Sequence, residues 1–255
     1  METVTHDLGS DVNDGLGWRA RGERASRSLA AISVAGALAG VLVGGVGGRL
    51  AMMLLARLNP RATGVTSDDG FIIGRFTVTN TLSLLAVGFG LGLFGAALYA
   101  VLRGLMIGPR WFQVLSISGG PAVVVGEMLV HTDGVDFTLL EPAGLAIALF
   151  VLIPGAYAVL LTLLAERWIR ADGWFMRAPL RYVIPTLLVW AVGFFLLPVL
   201  AVLVSLWVVR EVVRRTPVGA AALSHPAGPW LVRAALAVLF ITSAVELLSE
   251  TAQLT

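Results

Sequence analysis

The sequence, 255 residues long, contains neither cysteine nor lysine. Without cysteine there is no disulfide, no thiolate metal ligand and no thiol nucleophile. Without lysine there is no Schiff base and no P-loop lysine, and all 18 basic residues are arginine. Charge is scarce as well: 13% of residues are charged, against about a quarter in a soluble domain of this size. The net charge of +2 and the lack of an aromatic-basic motif leave no footprint for nucleic acid.

What is abundant is apolar. Hydrophobic residues make up 57% of the chain and the mean hydropathy is +0.87. They are gathered into long blocks rather than spread at amphipathic spacing. The blocks run from about residue 29 to 56, 80 to 102, 111 to 130, 143 to 165, 182 to 209 and 229 to 249. Each approaches or exceeds the roughly 20 residues needed to cross about 30 Å of hydrocarbon. In lipid such segments are helices, because only a helix closes its own backbone hydrogen bonds. The expected fold is therefore an all-α integral membrane protein, a six-helix transmembrane bundle. Residues 1–27 read as a disordered cytoplasmic tail and residues 28–255 as a single transmembrane domain. Ala37-Leu38-Ala39 resembles a signal-peptide cleavage site, but the apolar run continues past it as a spanning helix would.

Arginine placement orients the chain in a cytoplasmic membrane, N-terminus inside. Arg19, Arg21, Arg24, Arg27, Arg103, Arg110, Arg167, Arg170, Arg177 and Arg181 then lie inside. Arg49, Arg57, Arg61 and Arg75 lie outside. A sixth crossing conflicts with this pattern, since it puts Arg210, Arg214, Arg215 and Arg233 outside too. A break at Pro198 that returns the fifth block to the cytoplasmic face would remove the conflict, but each half is too short to cross. A single tilted helix kinked at Pro198 is the simpler expectation. It puts Trp111, Trp168 and Trp174 at the inner interface and Trp207 and Trp230 at the outer one.

Two same-topology helical hairpins are suggested by paired features, with a third hairpin following. Asp68-Asp69-Gly70 with Phe76-Thr77 parallels Asp133-Gly134 with Phe137-Thr138, and Tyr99-Ala100-Val101-Leu102 parallels Tyr157-Ala158-Val159-Leu160. The repeat would make Arg49 and Glu127 equivalent. As ionisable groups at membrane depth they are candidates for an ion pair or a charged-solute site. Gly36, Gly40, Gly44 and Gly48, and Gly88 and Gly92 followed by Ala96 and Ala100, recur every four residues, which puts small residues on one face of each helix. Such faces pack on each other within the chain, or on a second copy or another membrane subunit.

Asp68, Asp69, His131, Asp133, Asp136 and Glu141 form an acidic outer-loop group. Its oxygens suit a hard cation, and His131 with a carboxylate suits a general base. Asp-Gly is also a common turn dipeptide, and no nucleophile elbow, HExxH pair or phosphate loop accompanies it. No catalytic residue, metal or cofactor is therefore assigned. Glu246 reads as snorkelling from a helix end, and Glu211 as pairing with Arg214 or Arg215. The leading functional expectation is a non-enzymatic subunit or accessory of a membrane complex, working through helix packing and extracytoplasmic loops, with the lipid bilayer as its surroundings. A small transporter or channel using Arg49 and Glu127 is the alternative, and an outer-face enzyme using His131 a weaker one.

Overall fold

The computed structural model describes residues 7–66, 72–74, 77–106, 109–130, 140–192, 197–216 and 227–254, with side chains from Gly17 onward. Among these the chain is helical, and the one β-type pairing is an isolated bridge between Thr66 and Ile72. Helix α1 (Asp7–Ala39) runs through a π-helical segment, Gly40–Gly47, into α2 (Gly48–Leu58). Then come α3 (Val78–Leu102), α4 (Arg110–Leu129) and α5 (Ala143–Ile169). The short α6 (Trp174–Arg177), α7 (Leu180–Val183) and α8 (Val189–Val192) follow, with a 3-10 turn at Ile184–Leu188, before α9 (Leu197–Val213) and α10 (Ala227–Leu254). Five helices are long and apolar enough to cross a membrane: Gly17–Leu58, Val78–Leu105, Trp111–Leu129, Ala143–Arg177 and Trp230–Leu254.

The rod formed by α1, the π segment and α2 is the centre of the bundle. Its 42 residues from Gly17 to Leu58 extend about 63 Å at 1.5 Å per residue, so its start projects well beyond a 30 Å hydrocarbon layer. Where a tail was expected up to residue 27, the helix is continuous, and Trp18, Arg21 and Arg27 each contact later parts of the chain.

Against α3 the glycines bring two backbones into direct contact. A Cβ on Gly36 would lie 2.5 Å from the Gly92 carbonyl oxygen, and one on Gly40 would lie 2.7 Å from the Gly92 Cα. One on Gly88 would lie 2.8 Å from the Gly45 nitrogen. The contact face thus runs Gly36, Gly40, Gly45, whereas four-residue spacing places Gly44 there. The π segment is the reason, because its wider turn inserts a residue and carries Gly45 into the seam. Gly44 is left looser, with 3.5 Å from a built Cβ to the Gly88 Cα, and Gly48 is buried beside Leu84. Tyr157 of α5 covers the other side of α3, where a Cβ on Gly95 would meet its hydroxyl, and that hydroxyl donates to the Gly92 carbonyl at 2.7 Å.

The fifth apolar block is broken rather than straight. From α7 to α8 it climbs alongside α1: Val183 packs with Ala30 and Ala31, and Trp190 with Ala37, Leu93 and Ala97. Beyond the break, Val199, Leu200 and Leu203 of α9 join the same Trp190 cluster. Helix α9 then descends until the Trp207 ring stacks 5.4 Å from Trp18 and Glu211 meets Arg21. Both ends of the segment therefore lie at the end of the bundle where α1 begins. Pro198 sits in the first turn of α9, a position that needs no amide hydrogen, so it starts a helix where a mid-helix kink was expected.

The last helix starts at that same end and runs to the opposite one. Near its start Arg233 Nε donates to the Leu105 carbonyl at 2.7 Å, while Leu247 and Leu254 pack with Leu55, Val130, Leu140 and Ile147. At that far end Asn59 serves as a peptide mimic. Its Nδ2 donates to the Glu141 carbonyl at 2.9 Å and its Oδ1 accepts from the Glu141 amide at 2.8 Å, joining the first rod to the start of α5.

The seam predicts an order of tolerance. Gly40→Ala and Gly92→Ala force backbone apart and should lower stability by about 1–3 kcal/mol, the usual range for overpacking. Gly44→Ala meets only ordinary contact and should be nearly neutral. Thermal unfolding of the three variants in detergent checks it, and equal losses at all three would contradict the shifted register.

Candidate functional site

The most polar part of the described bundle is the end where α1 begins. Glu166 of α5 accepts from the Tyr99 hydroxyl at 2.8 Å and from Arg103 at 3.2 Å, which ties the ends of α3 and α5 together. Arg27 donates to the carbonyls of Phe175 at 3.2 Å, Met176 at 3.0 Å and Ala178. A cation at orphan carbonyls of this kind complements the negative end of a helix turn. Deeper in, the buried Trp190 Nε1 donates to Ser33 Oγ at 2.9 Å, and Ser33 Oγ donates to the Leu29 carbonyl at 2.7 Å. A buried indole N–H needs such an acceptor.

Along the start of α1 and the end of α9 the charges form a cluster. Glu211 is 7% exposed, with Arg21 Nε 2.7 Å away and Arg214 donating at 2.9 Å. The hydrogen bond from Arg214, with the charges of Arg21, Arg214 and Arg215, outweighs burial and holds the Glu211 carboxyl below its ordinary range. Arg215 lies over the Trp18 ring, 4.5 Å from its centroid. Between these groups opens a cavity of about 250 Å³ lined by Trp207, Arg210, Glu211 and Arg214.

The chain matches no protein-family model, no curated protein and no solved structure. Its chemistry is carried by its own residues alone.

Among the candidates from sequence, Gly36, Gly40, Gly88 and Gly92 meet in one seam within the chain. Arg49 is half-buried in the first turn of α2. Glu127 is half-buried near the end of α4. Glu141 is exposed and contributes through its backbone, held by Asn59. Asp68, Asp69, His131, Asp133 and Asp136 lie outside the described residues. Among the described residues no three His, Asp or Glu side chains gather as metal ligands. The tyrosines paired by the suggested repeat act differently, one on the Glu166 carboxylate and the other on a glycine carbonyl.

Sequence reasoning missed Asn59, Glu166, Ser33 and Trp190. A signal existed for Glu166, since Tyr99 and Arg103 are one turn apart at a span end and a carboxylate near the end of another span suits both. Trp207 and Trp230 were expected at the opposite interface. Trp207 instead stacks on Trp18, and Trp230 lies under Arg233, 5.0 Å from its guanidinium, at the end shared with Trp111, Trp168 and Trp174.

The lowered Glu211 pKa fixes a sign. Its contribution to the contact between α1 and α9 is complete above the ordinary glutamate range, and it is lost as pH falls through the lowered value. Spin labels on cysteines introduced at Arg24 and Val208, in a chain with no cysteine of its own, should report a fixed distance at neutral pH. That distance should lengthen or broaden only at a pH below the ordinary glutamate range.

Proposed function

We propose that this chain is a non-enzymatic multi-pass membrane protein, an accessory or subunit that pairs with another membrane polypeptide through its last helix. The observation that carries this reading is a stripe on α10: Leu231, Val238, Ile241, Val245 and Leu248 are 60–71% exposed and spaced by sevens, threes and fours. Apolar exposure alone means little in lipid, where leucine loses nothing by facing acyl chains. The heptad spacing is the informative part, since it keeps one seam toward a partner helix over several turns. Glu246 adds to it. It is exposed, forms no ion pair among the described residues, and lies about 12 Å before the end of α10, deeper than a snorkelling end residue. A basic or hydrogen-bonding group on a partner would satisfy it.

Other polar groups in the bundle already have a use. Asn59, Tyr157, Trp190 and Ser33 join one helix of this chain to another, and the glycine seam is filled from within. Helix packing by the glycine faces is thus internal, and partner contact falls to the periphery.

The reading includes an orientation in a cell membrane: five crossings, the N-terminus inside and the C-terminus outside, with residues 180–213 as a re-entrant hairpin. Its support is the arginine pattern. Fourteen of the 18 arginines then lie at the inner end, including Arg210, Arg214, Arg215 and Arg233, with Arg49, Arg57, Arg61 and Arg75 toward the outer one. The conflict that a sixth crossing creates is gone.

Two experiments test these statements separately. Single cysteines at Thr216 and Gln253 should react differently with a membrane-impermeant maleimide in intact cells: Gln253→Cys is labelled, Thr216→Cys only after permeabilisation. The reverse pattern would overturn this orientation, since it requires either a sixth crossing or an outer N-terminus. Cysteines at Ile241 and Val245 should crosslink to a second polypeptide in native membranes, with one at the buried Ser243 remaining unlinked. A second copy doubles the mass and another subunit adds its own; recovery of monomer alone at native abundance would remove the proposed role.

A further inference from the structure

We infer that the cavity lined by Trp207, Arg210, Glu211 and Arg214 binds the phosphate headgroup of an anionic phospholipid. The carboxylate in its wall does not set the local sign, because Arg21 and Arg214 both lie against it. Around it stand Arg210 and Arg215, and Arg19 and Arg24 follow on α1, so the field in the cavity is positive. Arg210 is exposed and makes no hydrogen bond or ion pair among the described residues. It lies four residues from Arg214, which puts both guanidinium groups on one side of α9 beside the Trp207 ring. Two planar cations so placed can clamp the oxygens of one phosphate.

The neighbouring surface identifies the source of that phosphate. Val202, Leu206 and Val209 are 57%, 53% and 58% exposed and form a ridge on the adjoining face of α9, rising from the cavity toward the bundle interior. A phosphate seated at Arg210 can lay its acyl chains on this ridge, which a free phosphate would leave unused. Tryptophan beside arginine is also the composition of a headgroup-level interface. The inference rests on the bundle lying in a bilayer and not on which side is cytoplasmic or on any partner of α10.

The test uses the full chain in detergent, titrated with phosphatidylglycerol or with phosphatidylcholine of the same acyl chains, and native mass spectrometry to count retained lipid. Wild type should retain phosphatidylglycerol preferentially. Arg210→Gln should weaken that retention about fivefold, the effect of one arginine near an anionic headgroup, and leave phosphatidylcholine unchanged. Arg210→Lys should recover part of it, and Arg177→Gln, at the same end but away from the cavity, should have no effect. Because Arg210 holds no structural contact, the variant should melt like wild type without lipid. Equal retention of the two lipids by wild type would overturn the inference, as would equal losses in Arg177→Gln and Arg210→Gln. So would millimolar inorganic phosphate raising the melting temperature of lipid-free wild type but not of Arg210→Gln, since the site would then take the free anion.

Discussion

Where the surroundings are hydrocarbon, a helix gains nothing by turning leucine away from them, so a bundle is held by how closely backbones approach and by which polar groups find each other. In this chain both effects converge on α3. Its Gly88 and Gly92 lie directly on Gly36, Gly40 and Gly45 of the first rod, and the Tyr157 hydroxyl reaches the Gly92 carbonyl from the other side. A side chain at any of these glycines would separate the rod from α3, and α5 packs on both. The rod, α3 and α5 share the cluster of Ile32, Ala35, Ala96, Tyr99, Leu161 and Ala165, which forms only because the seam beside it is closed.

From that triad outward the share of each helix that is buried falls. Of the most apolar stretch of the first rod 56% is buried, against 6% for α4 and 6% for α10. Of the two peripheral helices, α4 packs along α5 and α10 lies along α4. Gly155 of α5 lies against Ala122, Gly126 of α4 against Val151 and Leu247, and Arg233 holds the start of α10 at the Leu105 carbonyl.

Much of this was legible in the sequence, and the limits have physical causes. Long apolar blocks announce helices because lipid leaves the backbone no other solution, and five of the six blocks became long apolar helices. Glycines at intervals of four announced a seam. The substitution of Gly45 for Gly44 was hidden, since a π turn leaves no mark in spacing. The fifth block differs for another reason: composition measures how apolar a segment is, and a segment whose two ends lie at the same end of the bundle is as apolar as one that runs straight through. The side chains that fasten the helices, Asn59, Ser33, Trp190 and Glu166, are single residues whose partners lie far along the chain, and no local pattern names a partner 82 or 157 residues away. The acidic outer loops, the most conspicuous polar feature of the sequence, fall almost entirely outside the described residues.

The broken segment has a consequence for how the protein is made. Its climbing half is a series of short helices and a 3-10 turn, too brief to be stable alone in lipid, and its N–H at Trp190 is satisfied by a serine of the first rod. Its apolar supports are Ala30, Ala31 and Ala37 of the first rod and Leu93 and Ala97 of α3. Synthesis from the N-terminus delivers those supports before residues 180–213 emerge, so the segment has its packing template in place when it is made. A circular permutation that made residues 180–213 first would present the membrane with the same amino acids and no template.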